Sequence, residues 1–102
     1  MDKRLLQPVR DNRWRHRYEL DVGEGVAFID YSRRGTTVVM THAEVPAALA
    51  GRGLGSALVA GALALVREKG EKVVPQCPFV AAYIARHRGL QDLLADPQSR
   101  GG

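Results

Sequence analysis

The stretch from Val38 to Pro75 constrains the fold more than any other part of the chain. Val38 to Val45 is rich in β-branched residues and reads as a strand. Pro46 lacks a backbone donor and ends it. A glycine loop follows, and from about Gly55 to Lys69 the residues Leu58, Ala62 and Leu65 recur at helical spacing, with Leu54 and Gly61 extending the stripe. Arg67 and Lys69 supply a basic last turn and Gly70 a stop. Lys72 to Pro75 then reads as a short strand. A strand, a helix and a second strand in this order make a crossover whose two strands pair in parallel. Ligands favour the carboxyl ends of such strands.

The segments on either side fit one sheet. From His16, apolar Tyr18, Leu20 and Val22 alternate with polar Arg17, Glu19 and Asp21, the pattern of a strand with one buried face. Gly23 to Gly25 is a tight turn, Val26 to Tyr31 a second strand, and Arg33 to Thr36 the next turn, so a three-strand antiparallel meander opens the domain. Pro78 begins a second helix, to about His87, with Phe79, Tyr83 and Arg86 on one side. Leu90 to Ala95 reads as a last helical turn. The first dozen residues and residues 98–102 read as loose ends. The expected architecture is α/β (α+β), a single domain over residues 1–102 with an ordered core from about 16 to 95.

Composition narrows the function classes. At 102 residues, 45% hydrophobic and 25% charged, the chain suits one soluble domain. Leu54 to Val66, its most apolar run, is too short to span a bilayer, and Met1 to Leu6 do not read as a secretory leader. Cys77 is the lone cysteine and cannot form an intramolecular disulfide, so a reduced, cytoplasmic setting is expected. His16, His42 and His87 belong to no spaced ligand cluster, so no metal site is expected. The net charge of +4 suits a polyanionic partner, which includes both nucleic acid and a phosphate-rich cofactor. Much of the excess sits in Arg10, Arg13, Arg15 and Arg17 around Trp14. That run is compatible with nucleic-acid binding. The preferred reading is a solvated strand edge with Trp14 covering one end of the core.

The loop Ala50, Gly51, Arg52, Gly53, Leu54, Gly55, Ser56 joins a strand to a helix start. A helix N-terminus leaves backbone N–H groups unpaired and carries partial positive charge. Glycines let phosphate oxygens approach that backbone, and Arg52 adds a charge. The alternative is a plain connection with a glycine-capped helix. No Gly-Lys-Ser/Thr follows, so the loop is not a Walker motif. It resembles the acyl-CoA loop of the GNAT acyltransferase superfamily, Arg/Gln-x-x-Gly-x-Gly/Ala, with Gly53 and Gly55 at the small positions and Ala50 at the Arg/Gln position. Thr41 to Pro46, Val74 to Val80 and Tyr83 are similar to the short, stand-alone GNAT proteins of the YjdJ type, and the resemblance runs from Tyr18 to Leu94. Those relatives read His-Thr-Glu-Val-Pro where this chain has Ala43, and His-Pro-Glu-Tyr where it has His87, Arg88, Gly89 and Leu90.

The resemblance implies a mostly antiparallel sheet splayed around a CoA slot, acetyl-CoA as cofactor, and an amine acceptor, small molecule or peptide. Gly51, Arg52, Gly53, Leu54, Gly55 and Ser56 would hold the phosphates, and the backbone N–H of Val45 would meet the thioester carbonyl. His42 and Glu44 stand two apart and share one strand face, with Thr41, Ala43 and Val45 on the other. Either His42 or Glu44 is a candidate base, and a structural pair is the alternative. Tyr83 is a candidate acid for the leaving thiolate, or with Phe79 an ordinary core pair. Cys77 falls at a helix N-cap before Pro78, which makes it a candidate nucleophile or a buried filler. The expected function is acetyl-CoA-dependent N-acetyl transfer. A CoA-binding module with little catalysis, and a basic nucleic-acid or protein interaction domain, are the alternatives.

Overall fold

The computed structural model describes residues 8–23, 25–49 and 53–95. Strands β1 (Arg10–Asn12), β2 (Arg17–Asp21), β3 (Val26–Arg34) and β4 (Thr37–Glu44) lead into a 3-10 turn at Ala47–Leu49. Helix α1 (Leu54–Glu68), strand β5 (Lys72–Pro75), helix α2 (Pro78–Arg86) and a 3-10 segment Arg88–Leu93 complete the order. The five strands form one sheet in sequence order. The first four are antiparallel, and β4 pairs with β5 in parallel from Thr37↔Lys72 to Met40↔Pro75, as the crossover requires. Leu94 bridges to Val73 on the outer side of β5, where the Ala95 N–H donates to the Val73 carbonyl at 2.9 Å.

Strand alternation sorts the sheet into two faces. Tyr18, Leu20, Ala27, Ile29, Tyr31, Val38, Met40 and Val73 form one core with the helices. α1 buries Leu58, Val59, Ala62, Leu63 and Val66. Leu65 is only partly buried, so the buried face is rotated from the expected Leu58, Ala62, Leu65 stripe. α2 buries Val80 and Ile84, one position on from the expected Phe79 and Tyr83 side.

The opposite face carries Glu19, Phe28, Asp30, His42 and Glu44 in register. The β3–β4 ladder slips between Asp30↔His42 and Tyr31↔Met40, which leaves Thr41 without a partner. This is a β-bulge, and it switches the parity of β4. Val38 and Met40 face the core before it, and Ala43 and Val45 pack on the core after it. Thr41 therefore leaves the face shared by Ala43 and Val45; it is exposed, and its Oγ1 donates to the Asp30 carbonyl at 3.3 Å.

Part of the chain start is ordered where a loose segment was expected. β1 pairs with β2 through Arg10↔Glu19, Asp11↔Tyr18 and Asn12↔Arg17. Two side-chain networks hold it. On one face the buried Glu19 carboxylate accepts from Arg10 Nη2 (2.8 Å), Asn12 Nδ2 (3.1 Å) and Arg17 Nε (2.7 Å). On the other, Asp11 accepts the Tyr31 hydroxyl (2.5 Å) and Arg33 Nη2 (2.9 Å), while Arg33 Nη1 also donates to Glu71. Burial, then the hydrogen bond to Asp11, pushes the Tyr31 hydroxyl above its ordinary pKa, so Tyr31 donates as a neutral phenol. Trp14 does not cover the core: at the β1–β2 turn it is 92% exposed.

Candidate functional site

The carboxyl end of β4 and the start of α1 define the site. β4 and β5 stay paired only to Met40↔Pro75, where the Cys77 N–H closes on the Met40 carbonyl at 3.0 Å. Beyond that row the chain after Pro75 turns away into α2, while β4 continues through Thr41–Glu44 paired with β3. The two parallel strands thus part, leaving the β5-side edge of β4 beyond Met40 without a strand partner; this gap between the strands is the candidate slot.

At the head of the slot, Gly53 is the N-cap of α1 with φ +74°. A side chain there would cost about 1–2 kcal/mol, which is why the sequence places glycine at this turn. The Gly53 carbonyl accepts the Ala57 N–H at 3.1 Å, the first bond of the helix. Among the described residues no side chain caps the N-terminus, and no acidic residue occupies its first turn. The N–H groups of Leu54, Gly55 and Ser56 precede the first intrahelical donor, so they and the positive helix end are available to an anion. Gly51 and Arg52, the other two expected phosphate contacts, lie outside the described residues.

Gly55 shows how closely three elements converge. A β-carbon built on it would stand 2.9 Å from Phe79 Cζ and 3.7 Å from Val45 Cγ2. The end of β4, the first turn of α1 and the first turn of α2 therefore meet around one glycine. Phe79, 42% exposed, walls this junction rather than filling the core. Tyr83 follows it one turn later at the core margin, with its ring stacked on His87 at 4.0 Å and the His87 Nδ1 2.7 Å from the Tyr83 carbonyl. Its phenol is not committed to a hydrogen bond among the described residues.

His42 and Glu44 do pair: Nε2 lies 3.0 Å from the carboxylate, and both side chains are exposed. Their cross-strand partners are Asp30 and Phe28, and the His42 and Phe28 rings lie 6.2 Å apart. Arg17 sits 4.3 Å over the other part of this row, on the Phe28 ring. Phe28 and Asp30 had no distinguishing signal in the sequence; only the β3–β4 register puts them beside the pair. Cys77 takes the N-cap position of α2 as its spacing before Pro78 implied, but its side chain is buried in the core and makes no capping bond.

The arrangement offers anion-binding amides and an apolar junction where the parallel strand pair parts, a phenol one turn along α2, and a carboxylate–imidazole pair on the sheet face away from the helices. A family profile described as GCN5-related N-acetyl-transferase matches residues 17–93. No curated protein matches the chain.

Proposed function

The chain belongs to the GCN5-related N-acetyltransferase family, and on that premise we propose that it is an acetyl-CoA-dependent N-acetyltransferase acting on a primary amine. The observation that carries this reading is the convergence of Val45, Gly55 and Phe79 where β4 and β5 part. Pyrophosphate oxygens accept from the amides of Gly53 to Ser56, with Gly51 and Arg52 completing the loop. The unpaired edge of β4 would take the pantetheine arm, and the Val45 N–H would donate to the thioester carbonyl, where negative charge develops.

The chemistry is a direct transfer. The amine nitrogen attacks the thioester carbon; its proton passes to the His42–Glu44 pair, directly or through water. The carbon–sulfur bond breaks, and the Tyr83 hydroxyl protonates the departing thiolate. The exposed position of His42 and Glu44 supports access by an acceptor. The burial of Cys77 argues against an acyl-cysteine step, because its thiol would have to leave the core to react.

Calorimetric titration with acetyl-CoA and with CoA, followed by thiol release in the presence of lysine peptides and polyamines, tests this. Micromolar binding with amine-dependent thiol release is the expected result. Binding with no release from any amine would reduce the chain to a CoA-binding module, and no binding would overturn the reading.

A further inference from the structure

Trp14 is the chain's only tryptophan and stands almost wholly in solvent at the tip of the β1–β2 hairpin. The tip is held firmly. Asn12 Oδ1 accepts the Arg15 N–H at 3.1 Å, and His16 takes a left-handed backbone conformation, φ +57°. The His16 carbonyl accepts the Tyr31 N–H at 3.0 Å, and its ring lies nearly parallel to the Tyr31 ring, 6.2 Å away. An indole displayed on a fixed turn is a surface for contact, since exposure of this much apolar area has no benefit to the fold.

Beside the tip is a notch of about 280 Å³ lined by Arg13, His16, Tyr31, Ser32 and Arg33. It exists because β2 pairs with β3 only as far as Arg17↔Asp30, leaving the β3 edge from Tyr31 onward beside the turn. The charge of Arg33 is taken up by Asp11 and Glu71. Among the described residues, no carboxylate pairs with Arg13 or Arg15. Among the described residues the other large exposed apolar side chains, Phe79 and Leu94, belong to other elements, and the residues beside Trp14 on the turn are Arg13, Arg15 and His16. A protein hot spot needs a ring of packed contacts that keeps water from its aromatic anchor, and a lone indole standing out on a hairpin turn supplies little of one. A stacked base beside a phosphate needs an aromatic face next to unpaired cations, which is the arrangement present.

We propose that this hairpin tip binds single-stranded nucleic acid, with a base stacked on Trp14, a neighbouring phosphate in the notch against Arg13 and His16, and Arg15 on the next phosphate. The site lies on the β2 side of β3 beside Tyr31–Arg33, whereas the slot opens on the β5 side of β4 alongside Thr41–Glu44, so the paired β3 and β4 strands stand between them. The two can be filled together, and the binding does not depend on the transferase reading.

Because Trp14 is the sole tryptophan, its fluorescence reports the contact directly. Titration with oligodeoxythymidylate about ten nucleotides long is expected to quench it at low salt. Two phosphate contacts give a log–log salt slope of about −1.4, and Arg13→Ala should reduce that slope by about 0.7. Trp14→Ala, followed by anisotropy of a labelled strand, should weaken binding about 5- to 100-fold while circular dichroism and the melting temperature stay unchanged. Saturating CoA should leave the quench intact. Absence of quenching, unchanged affinity in Trp14→Ala, an abasic strand or heparin binding as tightly as the oligonucleotide, competition by CoA, or a Trp14-dependent dimer in sedimentation would each overturn the proposal.

Discussion

Replacing Glu19 by glutamine tests whether the chain start is built into the sheet as described. The carboxylate is 4% exposed and takes hydrogen bonds from Arg10, Asn12 and Arg17. Glutamine keeps the shape but removes the charge and one acceptor. A hydrogen bond to a charged group is worth about 1.5–3 kcal/mol. Arg10 is 54% exposed and its bond is discounted for solvent screening, while Arg17, at 22%, retains most of its value. The loss should be about 2–3 kcal/mol, which for a domain of this size lowers the melting temperature by about 10 to 20 °C. The pH dependence has a definite sign. Burial raises the Glu19 pKa, but the Arg17 and Asn12 hydrogen bonds and the Arg10 and Arg17 charges outweigh it and hold the folded value below the ordinary 4.5. The stabilisation is therefore complete above about pH 4.5 and lost as pH falls through the lowered folded value. Thermal melts of both proteins from pH 7 down to pH 3 should show a gap that is widest at neutral pH and narrows in acid. An unchanged melting temperature at pH 7, or a gap that persists undiminished at pH 3, refutes the buried-carboxylate account of the β1–β2 pairing.

Three further outcomes concern the slot. Tyr83→Phe should lower kcat about 100-fold, the lower range for a lost general acid, with little change in CoA affinity or melting temperature, because the phenol holds no hydrogen bond among the described residues; equal kcat in steady-state thiol-release assays would remove Tyr83 from the chemistry. Cys77→Ala should leave kcat within about threefold while costing about 1 kcal/mol of stability through a small core cavity; loss of turnover, or a mass shift showing an acylated Cys77 in the parent, would restore the covalent route. Gly55→Ala should fold, because the displaced Phe79 ring is free to move toward solvent, yet the overpacking of about 1–3 kcal/mol at the junction should raise the CoA Kd about fivefold or more by calorimetry. An unaltered Kd would mean that cofactor does not pass this point.

The crossover, the helix starts and the glycine turn were legible because each follows from neighbours in the chain. β-branched runs, a 3.6-residue apolar stripe, Pro78 at a first helical turn and Gly53 at a positive φ are local physics. So was the His42–Glu44 pair, since two residues apart on a strand means one face. The β-bulge at Thr41 was not legible, because a strand's own residues do not say which partner register it will meet. The buried face of α2 was misjudged by one position, and that of α1 at Leu65 though not at Leu58 and Ala62, for a related reason: both helices mix apolar residues around the cylinder, and the sheet decides which side is covered.

Sequence alone thus determined the order of strands and helices from β2 onward and the parallel crossover. The tertiary structure alone decided what the opening residues are for. Asp11 reaches Tyr31 and Arg33 across the sheet, Arg10 and Asn12 reach Glu19, and these contacts order a segment with no periodicity of its own. Ordering that strand lifts Trp14 off the core and sets it, with Arg13 and Arg15, in solvent. Hydrogen bonds between residues far apart in the chain fix that geometry, and no local pattern encodes them.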